Sequence, residues 1–143
     1  MPYKYLEEVA TADVAFEAWG SSLEELFISA ADAAMNVMVD DIETIEKEQE
    51  LSFEVSNPAL DMLLYNFINE LIYYKDAKKL LLRVSSVKIN QTDSEYMLSA
   101  NAYGEVLNPE KHPLSADVKA VTLHMFSLHH TDSGWKATMI LDI

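Results

Sequence analysis

The sequence predicts an α+β fold in which a mostly antiparallel sheet packs with two helices. Apolar residues alternate with a period of two near the start of the chain and over its second half, whereas two segments between them carry apolar residues at helical spacing. The resulting order is strand, strand, helix, strand, helix and then four strands, which is typical of α+β proteins. Since the chain has no internal repeat and only three glycines and four prolines, we expect residues 1–143 to form a single domain.

The first part of the chain predicts two short strands and a helix. Residues 3–9 and 14–19 alternate well enough to be strands. Ser22 and Glu25 have capping-box spacing, so we expect a helix to begin there and to end at the Asp40-Asp41 pair. Its apolar positions recur at roughly helical spacing and are Leu23, Leu26, Phe27, Ala30, Ala34 and Met38.

The central segment predicts an acidic strand and a second helix. The strand is expected from about Ile42 to Val55. Asn57 as cap and Pro58 at the first helical position indicate the start of the helix, which is expected to end near Lys75. This helix should be the most deeply buried element, because its apolar residues form a broad stripe: Leu60, Leu63, Leu64, Phe67, Ile68, Leu71 and Ile72.

Four more strands are predicted after the second helix. The period-two pattern places them at residues 80–89, 96–107, 118–129 and 135–142. Asp93-Ser94 and Asp132-Ser133-Gly134 have the composition of hairpin turns.

The charge of the chain restricts its partners. A formal net charge of -14 opposes tight, direct binding of nucleic acid, which depends on clustered Lys and Arg. A basic protein partner or a metal ion is the natural complement of such a surface. The absence of cysteine excludes disulfides and thiolate metal sites. No apolar run of membrane-spanning length and no signal peptide is evident, so we expect a cytoplasmic protein that does not bind membranes.

The last residues of the sequence predict a metal site. A strand that is packed to its final residue would hold the Asp142 side chain and the main-chain carboxylate of Ile143 in one small volume. Asp13 begins another apolar run near the start of the chain. If these two strands pair antiparallel, the two aspartates converge. Their oxygens are hard ligands, which suit Ca²⁺, Mg²⁺ or Mn²⁺.

Other candidate residues lie between positions 104 and 124. His112 is in a predicted loop and free to approach either end of the sheet. Lys119 and His124 differ by an odd number of positions, so a regular strand would place them on opposite faces. Each also has an ordinary structural interpretation: His112 as a loop residue, His124 as a half-buried histidine, and Lys119 as a solvated lysine or as a cross-strand partner of Glu105. Asp13 could likewise be a turn carboxylate and Asp142 part of an ordinary charged terminus.

Six motifs, in order and spread over nearly the whole chain, resemble the archease family. They are Thr11-Ala12-Asp13, Ala18-Trp19-Gly20, Ser22 to Phe27, Gly104 to His112, Val118 to Thr122 with His124, and Leu141-Asp142-Ile143. The motif from Gly104 to His112 is specific, whereas the helix start at Ser22 alone is not.

The resemblance implies a protein cofactor rather than an enzyme. Archeases assist the tRNA-splicing RNA ligase that acts on 3′-phosphate ends: they promote attachment of guanylate to the ligase histidine, with GTP as the ligase's substrate, and so allow multiple turnover. Carried over from the family, the metal ligands are Asp13, Asp142 and Ile143. A histidine commonly precedes the Thr-Ala-Asp motif in relatives, and here that position is Ala10.

Two other functions stay open at this point. One is a stand-alone, divalent-metal-dependent phosphoester hydrolase in which His112 acts as general base. The other is a chaperone or modulator of RNA-modifying enzymes, which would tolerate loss of the metal site.

Overall fold

Seven strands and two α-helices form in the part of the chain that a computed structural model describes, residues 2–6 and 13–143. The α+β class and the order of elements agree with the prediction. The elements are β1 (Tyr3–Leu6), β2 (Asp13–Gly20), α1 (Leu23–Met38), β3 (Gln49–Asn57), α2 (Leu60–Lys78), β4 (Leu80–Gln91), β5 (Tyr96–Val106), β6 (Ala120–Thr131) and β7 (Gly134–Asp142).

The strands divide into two antiparallel sheets rather than one. The terminal sheet has the strand order β1-β2-β7-β6, and the middle sheet has the order β3-β5-β4. All the paired strands run antiparallel, which confirms the predicted character of the sheets. The last strand of the chain, β7, is therefore an inner strand that has a hydrogen-bonded neighbour on each side.

Helix α1 packs against both sheets. Its start is capped as predicted: the Ser22 hydroxyl accepts a hydrogen bond from the Glu25 N–H at 3.1 Å, and the Glu25 carboxylate accepts one from the Ser21 N–H. The helix contacts β2 of the terminal sheet and β4 of the middle sheet. Small side chains allow this close approach on both sides; the buried alanines are Ala30, Ala31, Ala33 and Ala34.

Helix α2 supplies many of the bulky core residues, but the expectation that it is the most deeply buried element is wrong: seven of its 19 residues are buried, against ten of 16 in α1. The ring of Phe67 is fully buried and lies 5.5 Å from that of Phe27 and 6.0 Å from that of Phe53. Burying a side chain of this size stabilises the fold by about 1.5–3 kcal/mol. The helix ends at Lys78 rather than near Lys75, because Lys79 adopts the left-handed conformation at φ 56°.

The acidic strand predicted from about Ile42 to Val55 is wrong in its first half. Residues Ile42–Thr44 form a 3₁₀ turn. The carboxylate of Asp41 caps this turn by accepting a hydrogen bond of 3.0 Å from the Glu43 N–H, which competes with an extended chain. The strand β3 begins only at Gln49.

The predicted start of α2 is also displaced. Asn57 is the last residue of β3, where it pairs with Tyr96, and the cap residue of α2 is Ala59. The Asn57 side chain accepts a hydrogen bond from the Ala59 N–H at 2.9 Å, so it forms a turn within the connection instead of capping the helix.

The remaining bounds differ from the predictions by few residues. Both predicted hairpin turns are present, since β4 pairs with β5 across residues 92–95 and β6 with β7 across Asp132-Ser133. Residues 7–9 of the first predicted strand lie outside the described part of the chain. Among the helices of the described residues, none is long and apolar enough to cross a membrane.

Gly104 of β5 has a close backbone neighbour in β4. A Cβ atom at this position would lie 1.8 Å from the Leu81 carbonyl oxygen. We expect Gly104→Ala to lower the free energy of unfolding by about 1–3 kcal/mol, the usual range for overpacking, because backbone must move to make room. Urea denaturation measures this change. The control is Ser99→Ala, an exposed position on the same strand, and equal stability of the two variants would contradict the packing account.

Candidate metal centre

The strands that carry Asp13 and Asp142 are paired along their whole length. β2 and β7 run antiparallel, with Asp13 opposite Asp142 at one end and Gly20 opposite Trp135 at the other. Directly opposed residues point to the same face of the sheet, with Cβ atoms about 4.5–5.5 Å apart. The antiparallel pairing on which the expected convergence depended is present, and it brings the two aspartates to the same end and face of the terminal sheet.

The strand that carries Asp142 is fixed by a neighbouring strand on each side and by the hydrophobic core on one face. β7 lies between β2 and β6, and Ala137, Met139 and Leu141 on its core face are fully buried. The carbonyl oxygen of Asp142 accepts a hydrogen bond of 2.8 Å from the Lys119 N–H. Asp142 lies on the opposite face and is partly exposed, as is Asp13, so the carboxylates stand at the surface on a fixed backbone.

Two like charges directly opposite each other in a sheet are destabilising. Among the ion pairs between described residues, none includes Asp13 or Asp142. A cation bound between the two carboxylates would convert this repulsion into attraction.

The donor set fits a hard divalent cation. Asp13 and Asp142 offer carboxylate oxygens, and Ile143 offers main-chain oxygens one residue further on. Within residues 2–6 and 13–143, no group of three or more His, Cys, Asp and Glu side chains could hold a metal ion. Ca²⁺ and Mg²⁺ both accept main-chain oxygens and water in addition to carboxylates. Ala10 lies outside the described residues.

Lys119 and His124 both lie at the surface. Lys119 immediately precedes β6, which begins at Ala120 rather than at the predicted residue 118. The rule that placed the two side chains on opposite faces does not apply, because residues 123–126 of β6 lie opposite the single residue Met139 of β7. His124 belongs to this bulge, which turns at Met125 with φ 56°.

His112 is not free to approach the ends of the sheet. Its side chain is buried with 1% of its surface exposed, which corrects the expectation of a mobile loop histidine. The Nδ1 atom accepts a hydrogen bond of 2.9 Å from the Asn108 N–H, so the ring proton belongs on Nε2. Nε2 lies 3.3 Å from the Glu105 carboxylate, although its orientation does not meet the geometry of a good hydrogen bond.

Glu105 pairs with Lys111. The interpretation of Lys119 as its cross-strand partner is therefore wrong. Burial would raise the pKa of Glu105, but the hydrogen bonds from the Lys111 ammonium and the Glu46 N–H, together with the neighbouring His112 ring, outweigh it and lower the pKa to about 2. The Lys111–Glu105 contact is 2.8 Å and the Glu46 N–H contact is 2.7 Å. These contacts join the chain before β3 to the loop after β5.

Lys75 and Asp117 form a second polar cluster that the sequence analysis did not select. The ammonium of Lys75 is buried and donates to the Asp117 carboxylate at 2.5 Å and to the Val118 carbonyl oxygen at 2.9 Å. The spacing of the sequence indicates that Lys75 is buried. It follows Leu71 by four positions and Ile72 by three, so it continues the apolar stripe of α2.

Comparison with known proteins places the chain in a family. The model of the Archease protein family matches residues 3–143. The chain belongs to the archease family. It is 40% identical over 134 residues to protein archease of Pyrococcus furiosus, and the matched region covers 93% of this chain and 94% of the relative. Protein archease of Methanosarcina mazei is 37% identical over 142 residues, covering 99% and 95%.

Two solved structures share the fold. The solution structure of Methanobacterium thermoautotrophicum protein 1598 matches with a TM-score of 0.85 and 34% identity, and covers 99% of both chains. A crystal structure from Thermotoga maritima, described as an archease and possible chaperone, matches with a TM-score of 0.56 over 96% of this chain and 97% of that one. Its identity of 16% shows the fold alone. These matches confirm the archease-like fold expected from the motifs.

The low pKa of Glu105 makes a prediction about stability and pH. Because its pKa is lowered in the folded protein, the stabilisation is present above the ordinary carboxyl pKa of about 4.3 and is lost as the pH falls towards 2. We expect Glu105→Gln to lower the free energy of unfolding at pH 7 by about 1–3 kcal/mol. Urea denaturation from pH 7 down to pH 3 should show this difference shrinking.

The matched control is Glu110→Gln, which makes the same change at an exposed position of the loop that follows β5 and should have little effect at any pH. A loss of stability in Glu105→Gln that is the same at pH 7 and pH 3 would contradict the assignment.

Proposed function

We propose that this chain is a metal-binding protein cofactor that activates a tRNA-splicing RNA ligase. The observation that carries the proposal is the meeting of Asp13 and Asp142 at one end of the terminal sheet, in a chain of the archease family. In this proposal the chain binds the ligase, promotes guanylylation of the ligase histidine from GTP, and dissociates, so that the ligase turns over many times. The chain itself contributes no catalytic residue.

The metal-bearing end consists of Asp13, Asp142 and Ile143. These residues hold one divalent cation, with Ca²⁺, Mg²⁺ and Mn²⁺ as the candidates by ligand type. When bound, such an ion supplies positive charge that offsets the charge of a triphosphate. The two aspartates are partly exposed, so the ion they hold faces outward and, in the complex, faces the ligase.

The surface charge supports a protein partner. A net charge of -14 favours approach to a basic cleft and opposes tight binding of RNA to this chain itself. Lys119 is exposed beside Asp142 and is the lysine best placed to contact a phosphate or a ligase carboxylate at that end. His124, exposed in the bulge of β6, is the second accessory contact.

The geometry argues against the alternative of a stand-alone phosphoester hydrolase. That mechanism needs His112 to take a proton from water, and a base must present a free lone pair. The lone pair of His112 at Nδ1 already accepts the Asn108 N–H, and the ring is buried. The described position of His112 therefore suits a structural role.

A second candidate function is a chaperone or modulator of RNA-modifying enzymes. One observation favours it: Leu123 and Met125 in the bulge of β6 are 58% and 62% exposed, and exposed apolar side chains can contact other proteins. The phrase "possible chaperone" used for the Thermotoga maritima relative is in line with it. This function predicts that changes at Asp13 and Asp142 are tolerated.

Ligase assays with substoichiometric amounts of the chain test the proposal. We expect the wild-type chain to increase both guanylylation and the number of ligation turnovers by the cognate RNA ligase. Asp142→Asn should lose at least about tenfold of this stimulation, since replacing a carboxylate ligand by an amide removes a charge from the site. The assay counts product per ligase molecule over time.

The matched control is Asp132→Asn, the same change at an exposed turn position at the other end of β7, which should stimulate like the wild type. Full stimulation by Asp142→Asn would favour the chaperone function. Absence of stimulation by the wild-type chain would reject the ligase role.

A further inference from the structure

We infer that Lys75 is a positioning residue for the metal-bearing end, and that it acts through residues 117–119. This inference rests on the proposed metal site, but its structural half can be tested without metal. Lys75 is a buried lysine that is far from the end of the chain in sequence. Its hydrogen bonds and ion pairs are with Asp76, Asp117 and Val118, and not with the candidate metal ligands Asp13 and Asp142.

The argument starts from the hydrogen bond between the Lys119 N–H and the Asp142 carbonyl oxygen, 2.8 Å long. A carbonyl at the end of a strand needs a donor, and its neighbour strand normally supplies one. Lys119, however, precedes β6 and lies at the end of the loop that follows β5. The donor that fixes Asp142 therefore depends on how this loop is held.

The middle of the loop is held by the end of α1. The N–H groups of Ser115 and Ala116 donate to the carbonyl oxygens of Met38 and Val37, at 2.9 and 3.1 Å. These bonds do not reach the peptide between Val118 and Lys119, which carries the donor for Asp142.

Lys75 contacts that peptide directly. Its ammonium donates to the Val118 carbonyl oxygen at 2.9 Å, and this carbonyl belongs to the same peptide group as the Lys119 N–H. Because a peptide group is planar, holding its oxygen also sets the direction of its N–H. The contacts thus run from α2 through one peptide to the carbonyl oxygen of Asp142.

The ammonium is itself well fixed. Lys75 is 6% exposed, and two carboxylates, those of Asp76 and Asp117, lie 2.5 Å from its Nζ. Desolvation would lower its pKa, but the two carboxylates outweigh this and raise it above the ordinary value. The stabilisation from a raised lysine pKa is present below that ordinary value and is lost only as the pH rises above it, so the contact persists at neutral pH.

The experiment compares wild type with Lys75→Met, which keeps the aliphatic part of the side chain and removes the donor. Amide hydrogen exchange by NMR is measured first on the metal-free proteins. We expect the Lys119 amide to exchange about tenfold faster in the variant, the effect of losing one hydrogen bond from a charged group. Amides in the middle of β7 should be unchanged, which distinguishes a local effect from general destabilisation.

The second readout is calorimetric titration with Mn²⁺. Affinity should fall about tenfold in Lys75→Met, as for other residues that orient metal ligands without touching the metal. The matched control, Lys78→Met, makes the same change at an exposed position one turn further along α2 and should leave both readouts unchanged. Asp117→Asn, at an exposed carboxylate, should speed exchange of the Lys119 amide by a smaller factor, and it replaces Lys75→Met if that variant does not fold.

An unchanged Lys119 exchange rate in Lys75→Met, or in Asp117→Asn if only that variant folds, would overturn the inference whatever the titration gives. Failure of the wild type to bind Mn²⁺ would instead reject the metal site of the proposed function, and the exchange result would still decide whether Lys75 positions this end of the sheet.

Discussion

The antiparallel pairing of β2 with β7 is the constraint on which the candidate site depends. The two strands come from opposite parts of the chain, and their register is set by the core: Phe16 and Ala18 of β2 and Met139 and Leu141 of β7 are buried on one face. A shift of one residue would turn these side chains towards solvent and would move Asp142 to the other face from Asp13. The position of the carboxylates is therefore a consequence of hydrophobic packing.

Buried charges in this chain hold loops in place. Glu105 with the Glu46 N–H, and Lys75 with Asp117, each join segments that are distant in sequence, and both clusters border the loop that ends beside Asp142. Glu105 and Lys75 are the buried members of these clusters, whereas Asp117 is exposed. Leaving a buried polar or charged group without its partner costs about 1–3 kcal/mol or more, whereas an exposed pair such as Lys47–Glu50 contributes about 0–1 kcal/mol. The conformation of the loop therefore depends in part on the contacts of Glu105 and Lys75, which are buried.

The sequence predicted what depends on periodicity and missed what depends on distant contacts. The stripe of α2 and the capping of α1 by Ser22 follow from spacing along the chain, whereas the convergence of Asp13 with Asp142 was predicted only on the condition that their strands pair antiparallel. The start of α2 was misplaced because Asn57 pairs with Tyr96 of β5, a partner that no local pattern reveals. The sequence predicts a loop histidine that is free to move, whereas contacts with Glu105 and Asn108 hold His112 in place. A loop sequence does not show such contacts.

The family could be predicted from the motifs, whereas the contacts that hold the backbone beneath the candidate metal ligands could not. Lys75 could have been noticed as a charge within an apolar stripe, but its target, the peptide after Val118, is 43 positions away. Only the folded chain brings the two together, because α2 packs against β6 of the terminal sheet.

The central claim is that Asp13 and Asp142 together hold a divalent cation. Crystals grown with Mn²⁺ and measured for anomalous scattering test it most directly, because the signal locates the ion without assumptions about its ligands. The account predicts a peak within about 2.6 Å of oxygens from both carboxylates. A peak confined to another acidic segment, or the absence of a peak at this end of the terminal sheet in crystals that contain Mn²⁺, would contradict it.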